Sequence, residues 1–307
     1  MRKVRQMRLH PRITVGELVK EMNRAGVLGA GKVGKAVELV NEMFSNPDYT
    51  VFLSIAGAMV PAGLRRVISD LVDREFVNVI VSTGANVVHD IIEALGFRHQ
   101  IGSFMAKDKR LKREGFGRIG DIYISHEAFQ ELEKWLNEVL KKIPEEKRQK
   151  IAPCEILYEI GTRITDSDSI LAKAAKRKVP VICPNITDSI VGFQMWIFSE
   201  DQKLTLDPLL DTAEITKMVF DAKKTGVIIL GGGWPKHYTL FANTFRDGAD
   251  CAVQITMDRP EPGGLSGASL EEAISWSKVK SKGKTVTVVS DATIVFPLIV
   301  AAVLERS

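Results

Sequence analysis

A chain of 307 residues, 45% hydrophobic and 26% charged, carries enough apolar material for one large α/β domain or two ordinary ones, and has no biased tract of the disordered kind. Its net charge of +4, spread over 42 basic and 38 acidic residues, argues against a nucleic-acid footprint, and no run of about 18 apolar residues offers a membrane span. Cys154, Cys183 and Cys251 are odd in number and widely spaced, so they support neither a disulfide framework nor a zinc site and read as buried small hydrophobes.

In chain order, the amino-terminal stretch "MRKVRQMRLHPR" is basic but lacks the apolar segment of a secretory signal, which points to a cytoplasmic protein. Residues 1–48 read as a helical extension within a single domain spanning 1–307. Runs rich in β-branched and aliphatic residues then recur: "TVFLSIAG" from Thr50, "VNVIVST" from Val77, "VPVICP" from Val179, "TGVIILGGG" from Thr225, "CAVQIT" from Cys251 and "TVTVVSDA" from Thr285. Most are continuous rather than alternating, as strands covered on both faces of a parallel sheet should be. Helical patterns such as "AGLRRVISDLVDR", "HDIIEALG", "HEAFQELEKWLNEVLKKI" and "DSILAKAAKRK" lie between them. The alternation predicts an α/β fold: a doubly wound, mostly parallel sheet with helices on both faces, Rossmann-like in kind. The basic run "KDKRLKRE", Lys107 to Glu114, reads as a solvated loop or a contact with an acidic partner.

Ligands of such sheets sit beyond the carboxyl ends of the strands, and the chemistry-bearing residues cluster there. "VSTGAN", "CPNITDS", "LGGGWPKH" and "VSDAT" each follow a strand. Small and hydroxyl-bearing residues at these junctions let backbone amides approach a phosphate or ribose, and Asp188 and Asp291 suit sugar hydroxyls. Gly231, Gly232 and Gly233 do not form the G-x-G-x-x-G fingerprint, and Lys236 has the wrong spacing for a P-loop lysine, so each junction is weak by itself. Together they favour a dinucleotide. No metal cluster is visible among the five histidines.

One segment, "EEAISWSKVK" from Glu271 to Lys280, reads as an amphipathic helix that places Trp276 two residues before Lys278. A core tryptophan beside a solvated lysine is the plain reading. The other is a reactive amine against an aromatic wall, because desolvation beside an indole disfavours the ammonium form and leaves the neutral amine that an imine requires. His237 reads either as a satisfied strand-end histidine or as part of the same slot, and His89 as a helix-cap residue near Asp90.

As a set, "LGGGWPKH", "RDGADCAVQIT", "SGASLEEAISWSKVK" and "SDATIVFPLIVA", with "GRIGD", "PVICPNITDS" and "VIVSTGAN" upstream, resemble deoxyhypusine synthase over nearly the whole chain. The resemblance implies specific chemistry. Bound NAD oxidises spermidine, the 4-aminobutyl group passes to an enzyme lysine as an imine, a lysine of translation initiation factor 5A receives it, and the same cofactor reduces it. The carrier lysine of the family's "SW-x-K" motif falls on Lys278, with Trp276 as the wall of the spermidine slot, Glu272 holding an amine and His237 lining the slot. Thr83, Asp188, Gly231, Gly233, Ser266, Asp291 and Ala292 match the family's NAD contacts. The resemblance also implies a homotetramer.

The pattern departs from the family where the substrate's positive charge should be met. Two aspartates that line this pocket in the eukaryotic enzymes fall on Phe193 and Leu265, and a glutamate near its entrance falls on His89. Asp258 and Glu261, in "MDRPEPGG", are the acids placed to replace them. Three functions stay open on these residues: deoxyhypusine synthase, a homospermidine synthase or related NAD-dependent aminobutyl transferase with a small amine acceptor, and a non-catalytic NAD-binding protein.

Overall fold

The aliphatic runs do form strands, and the patterned segments between them form helices. The computed structural model describes residues 3–306, so Met1 and Arg2 of the basic amino-terminal stretch lie outside the described residues. In chain order the elements are α1 (Val15–Ala25), α2 (Leu28–Ser45), β1 (Tyr49–Ile55), α3 (Arg65–Asp73), β2 (Val79–Ser82), α4 (Gly84–Ala94), β3 (Gln100–Ile101) and α5 (Asp108–Arg113). Next come β4 (Phe116–Ile119), β5 (Ile122–Ser125), α6 (His126–Lys142), α7 (Glu145–Arg148), α8 (Pro153–Gly161), α9 (Ile170–Arg177), β6 (Val181–Ile182) and α10 (Ile190–Asp201). The last are α11 (Pro208–Asp221), β7 (Lys224–Leu230), α12 (Gly233–Ala242), β8 (Ala249–Thr256), α13 (Glu272–Ser275), β9 (Val279–Val289) and α14 (Ala292–Leu304).

Two compact units make up the chain. The first takes the residues up to Gly57, Phe76–Val81 and those from Ala213 on; the second takes Ala58–Glu75 and Ser82–Thr212. In the first unit β1, β7, β8 and β9 are neighbours in one sheet and pair in parallel, with Tyr49 opposite Lys224, Val227 opposite Ala252 and Val253 opposite Val286. Helices α2 and α14 pack on β8, and α12 packs on β1 and β7. This is the α/β class of parallel sheet flanked by helices that the alternation predicts. β1, β7 and β8 are buried along almost their whole length, which is why their sequences run apolar without alternation. Among the described residues β9 has one neighbour, and its first half, with Ser281, Lys282 and Lys284 exposed, leaves no apolar mark.

In the second unit β3, β5 and β4 form a small antiparallel sheet. A buried ionic cluster joins its helices. Asp90 of α4, 1% exposed, accepts hydrogen bonds from Arg65 Nε (2.6 Å), Ser169 Oγ (2.8 Å), Ile170 N (3.1 Å) and Leu171 N (2.9 Å). One carboxylate thus caps the start of α9 and neutralises the Arg65 guanidinium, which also donates to Asp166 Oδ2 (2.7 Å). The basic run expected as a loop is instead the short helix α5, anchored by buried Leu111. Cys183 and Cys251 are buried, as expected, and burial pushes both thiols up to about 12, which leaves them inert. Cys154 is half-buried.

Candidate active site

The strands of the first unit end together. Ala56 N donates to Leu230 O (2.9 Å), Gly231 N to Ile255 O (2.8 Å) and Ser290 N to Thr256 O (3.0 Å), so the turns after β1, β7, β8 and β9 leave one carboxyl edge of the sheet. Gly231 and Gly233 have φ of 74° and 61°, the left-handed region that favours glycine. A side chain at Gly232 would fall 2.5 Å from Ser266 Cα, whereas nothing lies within 4 Å of where one would stand at Gly233. The turn is therefore closed against protein at its middle and open where α12 begins.

Three donors lace the following loop onto that turn. Gly233 N donates to Ser266 Oγ (2.9 Å), and Gln254 Nε2 donates to both Gly231 O (3.0 Å) and Ser266 O (2.8 Å). Lys236, 2% exposed on α12, donates from Nζ to Leu265 O (3.0 Å) and Ala268 O (2.5 Å). A buried amine thus staples the glycine-rich loop from Asp258 to Ala268.

Burial pushes Lys236 down to about 8, with nearby Lys278 acting the same way and Glu272 and Asp258 opposing. Between that value and the ordinary 10.5 the unfolded chain holds a proton that the folded chain has released. Stability from this group therefore rises as pH climbs through that window and is lowest below it. Expected against a Lys236→Met variant, which cannot titrate, is a wild-type advantage that widens by about 3 kcal/mol between pH 7 and 10.5 in denaturant unfolding. A difference that stays flat with pH would contradict the depressed lysine.

The segment expected as one helix from Glu271 to Lys280 is broken. α13 covers only Glu272–Ser275 and ends in a Schellman turn: Lys278 N donates to Ala273 O (3.0 Å) and Ser277 N to Ile274 O (3.0 Å). The left-handed residue is Ser277, with φ of 53°, where glycine is usual. β9 then begins at Val279, so Lys278 stands at a helix-to-strand corner. Its Nζ lies 5.6 Å from the centre of the Trp276 ring, within cation–π range. Trp276 is 66% exposed, so the core-tryptophan reading fails and the indole is a free wall beside the amine.

His237 sits within α12, not at a strand end, and stacks on Phe241 at 5.6 Å. Burial and the Lys278 charge lower its pKa, and its buried Nδ1 has no hydrogen-bond partner. Such an orphan fits a ligand atom. The charges of Lys278, Glu272 and Asp258 thus all reach Lys236, with Trp276 beside Lys278 and His237 within reach of the Lys278 charge. Glu261 is exposed on the same loop, and Leu265 presents its carbonyl to Lys236.

Of the nucleotide-contact candidates, Gly231, Gly233 and Ser266 form the laced turn just described. Asp291 caps α14, its Oδ1 accepting from Thr293 N and Oγ1 (both 2.8 Å), and Ala292 is the buried first residue of that helix. Thr83 and Asp188 belong to the second unit. There Asn86 Nδ2 donates to Thr83 Oγ1 (3.1 Å), Gly84 abuts Ser189 so closely that a Cβ would fall 2.4 Å from the serine Cβ, and Asp188 is exposed beside Asn185 (3.4 Å). His89 is no helix cap: it lies buried inside α4, with Nδ1 2.9 Å from His99 Nε2, while His99 Nδ1 donates to Glu93 (2.6 Å). Burial first, and His99 second, push His89 down to about 4. Phe193 is exposed on α10. Among the described residues no cluster of His, Cys, Asp and Glu is arranged to hold a metal ion, and no helix is long and apolar enough to cross a membrane.

Sequence reasoning missed Lys236, Gln254 and Ser277. The only mark of the first was a lysine directly after the proline of "GGGWPKH", set aside because the P-loop spacing was wrong.

Comparison with known proteins supplies the remaining findings. The deoxyhypusine synthase family profile matches residues 17–303. A protein of Methanothermobacter thermautotrophicus named "Probable deoxyhypusine synthase" is 43% identical over 303 residues, covering 99% of this chain and 98% of its own. "Probable deoxyhypusine synthase 1" of Methanosarcina acetivorans is 44% identical over 305 residues, 99% of this chain and 95% of its own. A crystal structure assigned as deoxyhypusine synthase, from Entamoeba histolytica, superposes with a TM-score of 0.71 at 25% identity, covering 96% of this chain and 94% of that one.

Proposed function

Because the chain belongs to the deoxyhypusine synthase family, whose members are transferases, we propose that Lys278 carries the 4-aminobutyl group of spermidine to a lysine of translation initiation factor 5A, with NAD as cofactor. The observation that carries this reading is the amine of Lys278 facing the exposed Trp276 ring at 5.6 Å beside the buried Lys236.

Each residue has a task. Glu272 and Asp258 meet the ammonium ends of spermidine, and the Trp276 face lies along its methylenes. Lys278, as a neutral amine, forms the imine that carries the fragment. Lys236 holds the loop that bears Ser266 against the glycine turn. NAD fits the open Gly233 corner, with Gly231, Ser266, Asp291 and Ala292 as its contacts within the first unit; when bound it supplies a hydride acceptor and donor. An acid such as Asp291 at that corner favours NAD over a 2′-phosphorylated cofactor. Assembly into a homotetramer belongs to the same reading and is supported by the exposed aromatic side chains Trp234, Phe241, Phe245 and Phe220 of the first unit. So does a cytoplasmic location, where the factor is found.

Incubating the protein with NAD and labelled spermidine, with and without factor 5A, tests the reading. Label on a lysine of the factor supports it, label only on free polyamine assigns a small-amine acceptor, and no transfer refutes both. Glu272→Gln is expected to raise the spermidine KM about tenfold to a hundredfold, the loss of one hydrogen bond to a charged group. The double variant Asp258→Asn, Glu261→Gln should do likewise and spare NAD affinity. An unchanged spermidine KM in the double variant would mean that these acids do not replace the ones missing at Phe193 and Leu265.

A further inference from the structure

The segment from Arg98 to Arg118 in the second unit takes no part in the chemistry above, yet it holds seven lysines and arginines against two acids, a net of +5 in a chain whose total is +4. Both acids are already matched. Asp108 accepts from Arg118 Nε (2.5 Å) and Nη2 (3.1 Å), and Glu114 from Arg110 (2.7 Å). Lys107, Lys109, Lys112 and Arg113 are exposed and make no ion pair among the described residues. Beside them Ile101, Phe104 and Met105 are 100%, 68% and 89% exposed.

These apolar side chains stand on a built loop. Gly102 N donates to Asp121 O (2.6 Å), Ser103 N to Tyr123 Oη (3.0 Å), Met105 N to Ser103 Oγ (3.1 Å) and Ala106 N to Ser103 O (3.2 Å). The Tyr123 ring presses on Gly102 so closely that a Cβ there would fall 2.2 Å from it, and Phe104 lies over Gly120. The Arg118–Asp108 pair ties α5 to β4. A loop fixed in this way loses little conformational freedom on binding, so its apolar side chains are presented for contact.

We propose that this surface docks an acidic polypeptide with an apolar anchor, and that this polypeptide is the protein acceptor of the transfer reaction. The proposal rests on the functional reading given above. Charge complementarity decides among occupants. A second copy bringing the same face would set +5 against +5, and a nucleic acid would answer the cations but leave Ile101 and Met105 without partners. An acidic protein face satisfies both halves of the patch.

Two variants test it: the charge reversal Lys107→Glu, Lys109→Glu, Lys112→Glu, Arg113→Glu, and the anchor removal Ile101→Ser, Met105→Ser. Affinity for factor 5A is measured directly by calorimetry, and spermidine cleavage is followed separately, without factor, as release of the propanediamine fragment. Expected is at least a tenfold loss of factor affinity in both variants, steeper at low salt for the charge reversal, with cleavage unchanged. Unchanged factor affinity overturns the proposal. So does a variant that sediments as a smaller species than the wild type, which would make the face a self-contact, and so does a loss confined to binding of a random-sequence RNA. If the wild type binds the factor but cleaves no spermidine, the functional reading fails while the docking surface stands.

Discussion

Lys278→Ala is expected to lower aminobutyl transfer by about 10⁴-fold or more, the scale seen when a covalent nucleophile is removed. The fold and the affinity for NAD should change little, because Lys278 is only half-buried and is needed as a nucleophile, not for packing. Lys278→Arg should fail as completely. A guanidinium can still lie over the Trp276 ring but stays protonated, so it cannot take the aminobutyl fragment from the oxidised substrate as an imine with release of propanediamine. Borohydride added during turnover should trap the substrate fragment on Lys278, located by peptide mass analysis. Recovery of the fragment on Lys236, whose amine burial pushes down to about 8, would move the carrier role to α12.

The largest loss of stability is expected from Asp90→Ala. The substitution leaves the Arg65 guanidinium buried with one of its two carboxylates gone, and strips Ile170 N, Leu171 N and Ser169 Oγ of their acceptor. Removing one partner of a buried ion pair costs about 3 to 5 kcal/mol. For a protein of this size that is on the order of 10 °C in Tm by calorimetry. Asp90→Asn, which keeps the shape and one acceptor, should fall between. A change below about 1 kcal/mol in the alanine variant would show that water or Asp166 takes over the role of Asp90. The two variants also separate two kinds of importance: Asp90 supports the fold and Lys278 the chemistry.

What could be read in advance follows from which forces leave a trace in residue order. β1, β7 and β8 announced themselves because strands covered on both faces must be apolar at every position, as "TVFLSIAG" and "GVIIL" are. The first half of β9 did not, since "VKSKGK" pairs along a single edge and carries its charges into solvent. The pairing of Trp276 with Lys278 was legible as spacing, but the break between them was not, because Ser277 adopts the left-handed conformation without being glycine. Lys236 was hidden for a different reason. Its acceptors are backbone carbonyls 29 and 32 residues later, and any residue type supplies a carbonyl. His89 and His99 were visible as histidines, but the chain of contacts through Glu93 depends on how α4 meets the strand that follows it.

The serine turn at the end of α13 bears on transplantation. An engineer who copied "SWSK" into the middle of a stable helix would place the indole and the amine on different faces, because residues two apart on a helix do not face each other. The portable unit is larger: four helical residues from Glu272, a stop that Lys278 itself closes through Ala273 O, and a strand ready to receive the chain at Val279. A host scaffold must therefore offer a helix ending against a parallel sheet.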